Sequence, residues 1–309
     1  MITISLDTFP VSVVLPLLLE DRTTGRNILL AAEGYMAGGE AVPPETELTP
    51  ELLERIGPDA IKPRCAKKRT EQEERTRRNA EVFTPVWVCN KMNNFCDAEW
   101  FGRQDVFNIE NGQDWEPVTE KIAFPKGKDW RDYIASPRLE ITCGEAPFLV
   151  SRYDPATGEE ISDLSRRIGI LDRKLRVAGE HTQKRGDWIK EAIRAFQSVY
   201  GYELQGDNLL LARINLLLSF TEYLEAHGHR QATEAELREI AEIIAWNLWQ
   251  MDGLTNCVPF AEPPAPAVQG TLFGDPETGI PDLPVICRIF DWREGIPFRF
   301  RDIGKGWSA

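Results

Sequence analysis

Apolar runs and helical patterns alternate through the second half of the chain. The runs LEITCGEAPFLV (139–150), FQSVYGYEL (196–204) and AWNLWQMDGL (245–254) are short and bounded by polar or glycine residues, which predicts strands. Between them, apolar residues recur at helical spacing, and Thr233 with Glu236 forms a capping box. Strands that alternate with helices favour an α/β protein with a parallel sheet.

The remaining segments are less regular. Residues 62–80 hold eight basic and three acidic residues, which indicates either a salt-bridged surface helix or a positive ridge near a phosphate backbone. Residues 100–136 are rich in Gly, Asn, Asp, Pro and Trp and predict a long ordered loop. The predicted units are a helical or mixed N-terminal region (1–75), an α/β core (76–256), a Pro/Gly-rich linker (257–284) and a C-terminal strand or hairpin (285–309) that meets a partner. Core helices are predicted over 162–179, 187–197 and 207–228 and from Thr233 onward.

The net charge of −13 limits how this chain of 309 residues can contact nucleic acid. A protein that wraps duplex DNA alone normally carries a basic surface, so DNA contact would be local or supplied by another chain. The six cysteines form no C-x-x-C pair and there are three histidines, so no metal site is predicted. No apolar run has membrane-spanning length and no secretory signal is recognised, which predicts a cytoplasmic protein.

Three acidic residues fall at the ends of the predicted strands. Glu140 lies beside a turn at Cys143-Gly144, Glu203 ends the second strand and Asp252 ends the third. Ligands of parallel sheets bind at the carboxyl ends of the strands, where a glycine allows close backbone approach. A carboxylate there can accept hydrogen bonds from ribose hydroxyls or an adenine amine. Each residue taken alone is more often a helix cap or turn residue.

Four segments between residues 75 and 256 carry a further pattern. EVFTPVWVCNKMNN (81–94) contains Phe-Thr-Pro before an apolar helix, and LEITCGEAPFLV is similar to D-P-A-C-G-S-G-x-F-L. YGYELQGDNLLLARINLLL (200–218) is similar to G-x-E-x-x-x-x-x-x-x-A-x-x-N-L, and AWNLWQMDGL to a strand ending in Gly-Asp-x-Leu. In this order, the segments resemble the adenine-N6 DNA methyltransferases of restriction-modification systems.

This resemblance implies a class I S-adenosylmethionine-dependent methyltransferase fold, with a Rossmann-like sheet and S-adenosylmethionine as the cofactor. The Phe-Thr-Pro segment would close over the methionine part, the loop after the first strand would hold the cofactor, Glu203 would bind the ribose and Asp252 would lie near the adenine amine. The implied cofactor-binding residues are Phe83, Thr84, Pro85, Glu140, Thr142, Cys143, Gly144, Glu203, Leu204 and Asp252.

The sequence departs from the family pattern within the loop and in its spacing. Glu140 and Ile141 replace Asp and Pro, and Glu145 and Ala146 replace Ser and Gly. Glu203 follows Glu140 by 63 residues (203 − 140), whereas the comparable spacing in dinucleotide folds is about 20. An inserted helical segment over 150–190 is therefore expected.

The family's catalytic tetrapeptide, [Asp/Asn/Ser]-Pro-Pro-[Tyr/Phe], is missing from the sequence. Pro-Pro occurs at 43–44 and 263–264, and neither pair is followed by an aromatic residue. IFDWREGIPFRFRDIGKGWSA (289–309) resembles the family's lead-in to the strand that carries the tetrapeptide. The resemblance therefore implies a split enzyme, with no catalytic residue in this chain and a second polypeptide that supplies the tetrapeptide and target recognition. The linker motif QGTLF (269–273) resembles a peptide that docks on bacterial sliding clamps.

Three functional hypotheses stay open. The first is the cofactor-binding subunit of a split DNA adenine methyltransferase, which contacts DNA through the complex. The second is a catalytically inactive methyltransferase-fold subunit that acts as a sensor or scaffold in a defence or mobile-element complex. The third is an unrelated α/β enzyme that acts on a small molecule.

Overall fold

Three parallel strands and the turns that follow them contain most of the candidate residues. The computed structural model describes residues 4–57, 60–79, 81–82, 84–261 and 285–303. Its helices are α1 (Val11–Leu19), α2 (Pro50–Ile56), α3 (Arg69–Asn79), α4 (Val86–Phe101), α5 (Trp130–Ala135), α6 (Ile170–His181), α7 (Arg185–Gln197), α8 (Gly206–Ala226) and α9 (Glu234–Asn247). Short 3-10 turns cover Arg64–Ala66, Leu164–Arg166 and Phe300–Asp302.

The described strands form one parallel sheet and four antiparallel hairpins. The hairpins are β1 (Glu20–Asp21) with β2 (Arg26–Asn27), β3 (Met36–Ala37) with β4 (Glu40–Ala41), β5 (Asn108–Asn111) with β6 (Asp114–Pro117), and β10 (Arg288–Asp291) with β11 (Ile296–Arg299). The parallel sheet has the order β7 (Arg138–Ile141), β8 (Val199–Glu203), β9 (Leu248–Gln250).

The parallel sheet confirms the alternation of strands and helices predicted from the sequence. Glu140 of β7 pairs with Gly201 of β8, and Glu203 pairs with Gln250 of β9. Between the first two strands lie α6 and α7, which account for the inserted helical segment. The coarse prediction of an α/β protein is confirmed. A capping box of Thr233 and Glu236 starts α9, as predicted.

The long loop predicted over 100–136 is wrong. Helix α4 continues to Phe101, β5 and β6 form a hairpin, and Asp129 caps α5. Asn111 pairs with Asp114 across a two-residue turn, in which Gly112 adopts φ +67°. Glycine at the first position of a two-residue turn is a hairpin signal, but the strands here are short enough to be hidden among the turn-forming residues.

The two faces of the parallel sheet are covered by different elements. Cys143, Val199 and Leu248 belong to the main apolar cluster, which also contains residues of α1, α8 and α9. On the other face, the β10–β11 hairpin packs on Tyr202 and Trp249. The hairpin confirms the strand or hairpin predicted within 285–309. Its aromatic neighbours pack within the chain: Phe300 lies 5.0 Å from the Trp249 ring, measured between centroids.

The N-terminal residues pack directly on the sheet end. Helix α1 packs against α8 and α9, and the Gln250 side chain bonds both backbone groups of Leu29, accepting from its N (2.7 Å) and donating to its O (2.7 Å). Residues 4–57 therefore combine helices with short hairpins. Among the described residues, no helix has the length and apolar character needed to cross a membrane.

Substituting Gly206 tests the contact between α8 and the N-terminal segment. A Cβ at this position would lie 1.9 Å from the O of Leu29, which is backbone. Gly206→Ala is expected to lower the free energy of unfolding by about 3 kcal/mol. Gly186→Ala is the matched control, because a Cβ on this α7 glycine meets nothing within 4 Å. The control should stabilise by about 0.5–1 kcal/mol in urea denaturation. Equal effects of the two substitutions would contradict the packing.

Candidate functional site: the carboxyl edge of the parallel sheet

The loop after β7 has an unusual backbone. Thr142, Gly144 and Ala146 all have positive φ, of 49°, 53° and 63°. Only glycine adopts this region without a steric cost, which is about 1–2 kcal/mol for other residues. The loop is held on β8, because Cys143 N donates to the O of Tyr202 (2.8 Å). A Cβ on Gly201 would lie 3.2 Å from the Cβ of Cys143, so a glycine in β8 makes room for the loop.

Glu203, at the end of β8, fixes this loop from the side. Its Oε2 accepts from Gly144 N (2.9 Å) and its Oε1 from Gln205 N (3.1 Å). The side chain is buried, and burial raises its pKa. Two of the predicted site residues, separated by 59 positions, are thus brought into direct contact. A carboxylate has about four lone-pair positions, so these two bonds leave acceptor capacity.

Glu140 fixes the far end of the same loop. Its two carboxylate oxygens accept from Phe148 N (3.4 Å) and Leu149 N (3.2 Å). Burial raises the pKa of Glu140 well above its ordinary value, and the nearby charge of Glu203 raises it further. The two predicted acidic residues therefore lie close to each other beneath one loop.

Helix α4 packs beside the far end of this loop. Phe83 lies outside the described residues, while Thr84 precedes Pro85 at the N-cap position of α4. Farther along the helix, Asn93 Nδ2 donates to the O of Phe148 (3.0 Å). Burial, and next the charge of Glu140, raise the pKa of the Cys89 thiol. Helix α4 thus lies near Glu140 and Phe148, at the far end of the loop.

The other predicted residues have simpler surroundings. Thr142 and Leu204 are exposed. Asp252 follows β9 by two residues, and its Oδ1 accepts from Leu254 N (2.8 Å), which closes a turn. The Met251 N donates to the O of Glu203 (3.1 Å), so this turn begins beside the end of β8. Asp252 therefore acts as a turn residue in this structure.

A cluster of buried charges, which the sequence did not reveal, adjoins Glu203. We call it the Asp207 cluster: Asp207 accepts from Lys67 Nζ (3.0 Å), Arg75 Nη2 (2.9 Å) and Tyr35 Oη (2.6 Å), and Arg75 also pairs with Glu81 (2.6 Å). Burial alone would raise the pKa of Asp207, but Lys67 and Arg75 outweigh it and hold the pKa well below its ordinary value.

This cluster corrects the interpretation of 62–80 as a solvated helix. Lys67 and Arg75 are buried, whereas Arg69 and Arg78 are exposed, so the surface interpretation is wrong for the first two. The signal in the sequence was Asp207 itself, near the start of a helix of apolar residues. A carboxylate buried there requires a cation.

A groove of about 340 Å³ runs beside the exposed face of α3. Within it, Arg69 pairs with Glu73 (2.9 Å). The groove lies next to the loop, because Arg64 N donates to Oε1 of Glu145 (2.7 Å). Its lining residues are Arg64, Arg69, Gln72, Glu73, Thr76 and Arg77.

Glu145 connects the loop to both α8 and the segment before α3. Its carboxylate accepts from Arg64 N (2.7 Å) and Tyr153 Oη (2.5 Å), while Asn215 Nδ2 donates to its backbone O (3.1 Å). Asn215 is the asparagine of the A-x-x-N-L stretch. Burial raises the pKa of Glu145 to about 7. Glu145 therefore stabilises the loop through hydrogen bonds within the chain.

No family model, curated protein or solved structure matches this chain. Among the described residues, no group of three or more His, Cys, Asp or Glu side chains is arranged to hold a metal ion. The candidate site consists of a loop with glycine-like backbone, two buried carboxylates and the start of α4. Such a site can bind a ligand through backbone and carboxylate hydrogen bonds.

The pKa of Glu145 predicts how stability depends on pH. The folded value of about 7 exceeds the ordinary 4.5, so the folded protein keeps a proton that the unfolded chain releases. This contribution is complete below about pH 4.5 and is lost as the pH rises through 7. Glu145→Gln does not titrate, so its unfolding free energy should gain about 2.5 kcal/mol relative to the unchanged protein between pH 5 and pH 8.

Urea denaturation at several pH values measures this difference. Glu54→Gln, at an exposed position of α2, is the matched control and should leave the pH profile unchanged. Parallel profiles for Glu145→Gln and the unchanged protein would show that Glu145 is ionised in the folded state across this range.

Proposed function

We propose that this chain is the S-adenosylmethionine-binding subunit of a split DNA adenine-N6 methyltransferase in a restriction-modification system. One observation carries the proposal. The loop at the carboxyl end of β7 has left-handed backbone at Thr142, Gly144 and Ala146, and its Gly144 N–H meets Glu203 from the end of β8. The glycine-like conformation of Ala146 falls where the resembled family has its second glycine.

Cofactor binding follows from the position of each group. The loop backbone would approach the methionine part of the cofactor, with Thr84 and Pro85 at the start of α4 closing over it. Glu203 would accept from the ribose hydroxyls through the lone pairs that Gly144 and Gln205 leave open. Asp252, after β9, would lie toward the adenine. These contacts are the same ones that the resemblance implies.

The order of the strands supports a division of the active site between polypeptides. In doubly wound sheets the order is 3-2-1-4-5-6, and ligands bind at the switch point beside strand 1. Read as β9, β8, β7, the parallel sheet matches the 3-2-1 half. The [Asp/Asn/Ser]-Pro-Pro-[Tyr/Phe] tetrapeptide is absent from the sequence. We therefore assign it to a partner polypeptide, which would also hold most of the DNA, since this chain carries a net charge of −13.

The reaction would be a direct transfer of a methyl group. The N6 amine of a flipped adenine attacks the methyl carbon, the carbon–sulfur bond breaks, and S-adenosylhomocysteine leaves as a neutral thioether. The amine then loses a proton to solvent or to a group of the partner. Catalysis would rest on positioning, without a covalent enzyme intermediate. A cytoplasmic location belongs to this proposal.

The inactive scaffold is the second candidate, and one observation favours it. Both oxygens of Glu140 and both of Glu203 already accept from the chain's own backbone, and Asp252 closes its own turn. In the scaffold hypothesis, these carboxylates hold the loop and bind no ligand. The sliding-clamp motif at 269–273 lies outside the described residues and stays a prediction.

Titration calorimetry with S-adenosylmethionine tests the proposal. Glu203→Ala removes a charged acceptor and should weaken binding by about tenfold to a hundredfold, since such hydrogen bonds contribute about 1.5–3 kcal/mol. Glu225→Ala, at an exposed position near the end of α8, is the control and should leave the affinity unchanged. Circular dichroism on each variant checks that the fold persists.

Two results would overturn the proposal. Absence of cofactor binding by the chain, alone and with a candidate partner, would remove both the split enzyme and a cofactor-sensing scaffold. Binding that Glu203→Ala and Glu225→Ala leave equally strong would show that the ribose contact lies elsewhere.

A further inference from the structure

Strand β7 is at the edge of the parallel sheet and exposes apolar side chains. It pairs with β8 on one side, and within the described ranges no strand pairs with its other side. Leu139 is 43% exposed and Ile141 is 65% exposed. Parallel strands are normally covered on both faces and continue into further strands, and open apolar edges invite pairing with another chain.

On the open side of β7, the backbone N–H and C=O groups belong to Leu139 and Ile141, the residues whose side chains are exposed. Arg138 N donates to the O of Ser198 (2.9 Å), so Arg138 and, two residues later, Glu140 direct their backbone groups toward β8. By the alternation of a strand, Leu139 and Ile141 direct theirs outward. One outward group is used within the chain, because Thr142 Oγ1 donates to the O of Ile141 (2.8 Å).

The cover over this face of the sheet ends at β8. Leu139 pairs with Tyr200 and Ile141 with Tyr202, so all four side chains lie on one face. The β10–β11 hairpin and Phe300 cover the tyrosines, which are buried, but leave the two β7 side chains exposed. The side chains of Leu139 and Ile141 therefore form a small exposed apolar surface at the sheet edge, directly before the Cys143-Gly144 turn.

We infer that the outer edge of β7 pairs in parallel with a strand of a second polypeptide, whose carboxyl end carries the catalytic tetrapeptide. This inference rests on the proposed function. A strand that runs parallel to β7 ends beside the loop at Thr142, which is the switch point of the doubly wound order. Its apolar side chains cover Leu139 and Ile141, and its backbone completes the ladder.

The geometry disfavours a second copy of this chain at the same edge. Two copies related by a two-fold axis would pair β7 with β7 in antiparallel fashion, which puts the two loops at opposite ends. Each copy also carries a net charge of −13, so the copies repel. A strand with basic flanks is favoured by the net negative charge of this chain.

A synthetic peptide of this design tests the inference. The probe is fluorescein-labelled Lys-Lys-Val-Asp-Val-Ile-Val-Thr-Asn-Pro-Pro-Tyr, and its fluorescence anisotropy is followed on titration with the full chain. Binding is expected, and Ile141→Lys should weaken it by at least about tenfold. Ile109→Lys is the matched control, because Ile109 lies on the hairpin strand β5 and is 53% exposed. It should bind as the unchanged protein does.

Three results would overturn the inference. The first is no binding by the unchanged protein, or equal loss in both lysine variants. The second is slow hydrogen exchange at the amides of Leu139 and Ile141 in the chain alone, which would show that the chain covers its own edge. The third is a dimer in sedimentation that Ile141→Lys alone dissociates, which would make a second copy the occupant.

Cofactor titration on the same samples separates this inference from the proposed function. Normal S-adenosylmethionine binding without peptide binding would overturn the edge pairing and leave the proposed function standing. Peptide binding without cofactor binding would overturn the proposed function and with it the catalytic identity of the partner strand.

Discussion

The buried carboxylate of Asp207 is the constraint on which the arrangement around the sheet depends. It lies in the first turn of α8, and an isolated charge in such a position is strongly unfavourable. Lys67 and Arg75 supply the matching charges, and Tyr35 donates a hydrogen bond. Removing one partner of a buried ion pair typically costs about 3–5 kcal/mol. The segments that contain these three residues are therefore held over the carboxyl edge of the sheet.

This constraint reaches the candidate site along two short paths. On the first path, Arg75 donates a hydrogen bond to the side chain of Gln205. The backbone N–H of Gln205 donates to Glu203, which also accepts from the backbone N–H of Gly144. On the other path, Arg64 N donates to Glu145 within the loop itself. The loop is thus held by Glu140 and Glu203 of the parallel strands and by Arg64 of the segment before α3. A loop fixed in this way can bind a ligand without first losing conformational freedom.

The parallel sheet could be predicted from the sequence, but the buried ion pairs of the Asp207 cluster could not. The hydrophobic periodicity and the capping box were sufficient to predict β8 and α9, because β8 is a well-bounded apolar run and α9 is a long helix. The same sequence patterns predicted Glu140 and Glu203 at the ends of strands. Contacts between distant segments leave no such period: Lys67 and Asp207 are 140 positions apart. The hairpin near Gly112 was missed because its strands have four residues each.

In the proposed function, the loop after β7 and the end of β8 hold S-adenosylmethionine. Ultraviolet cross-linking of the full chain with radiolabelled S-adenosylmethionine, followed by peptide mapping, locates the bound cofactor. We expect the label within residues 139–150 or 199–208, and we expect unlabelled S-adenosylhomocysteine to reduce it. Label confined to other parts of the chain, or cross-linking that S-adenosylhomocysteine does not reduce, would contradict this proposal.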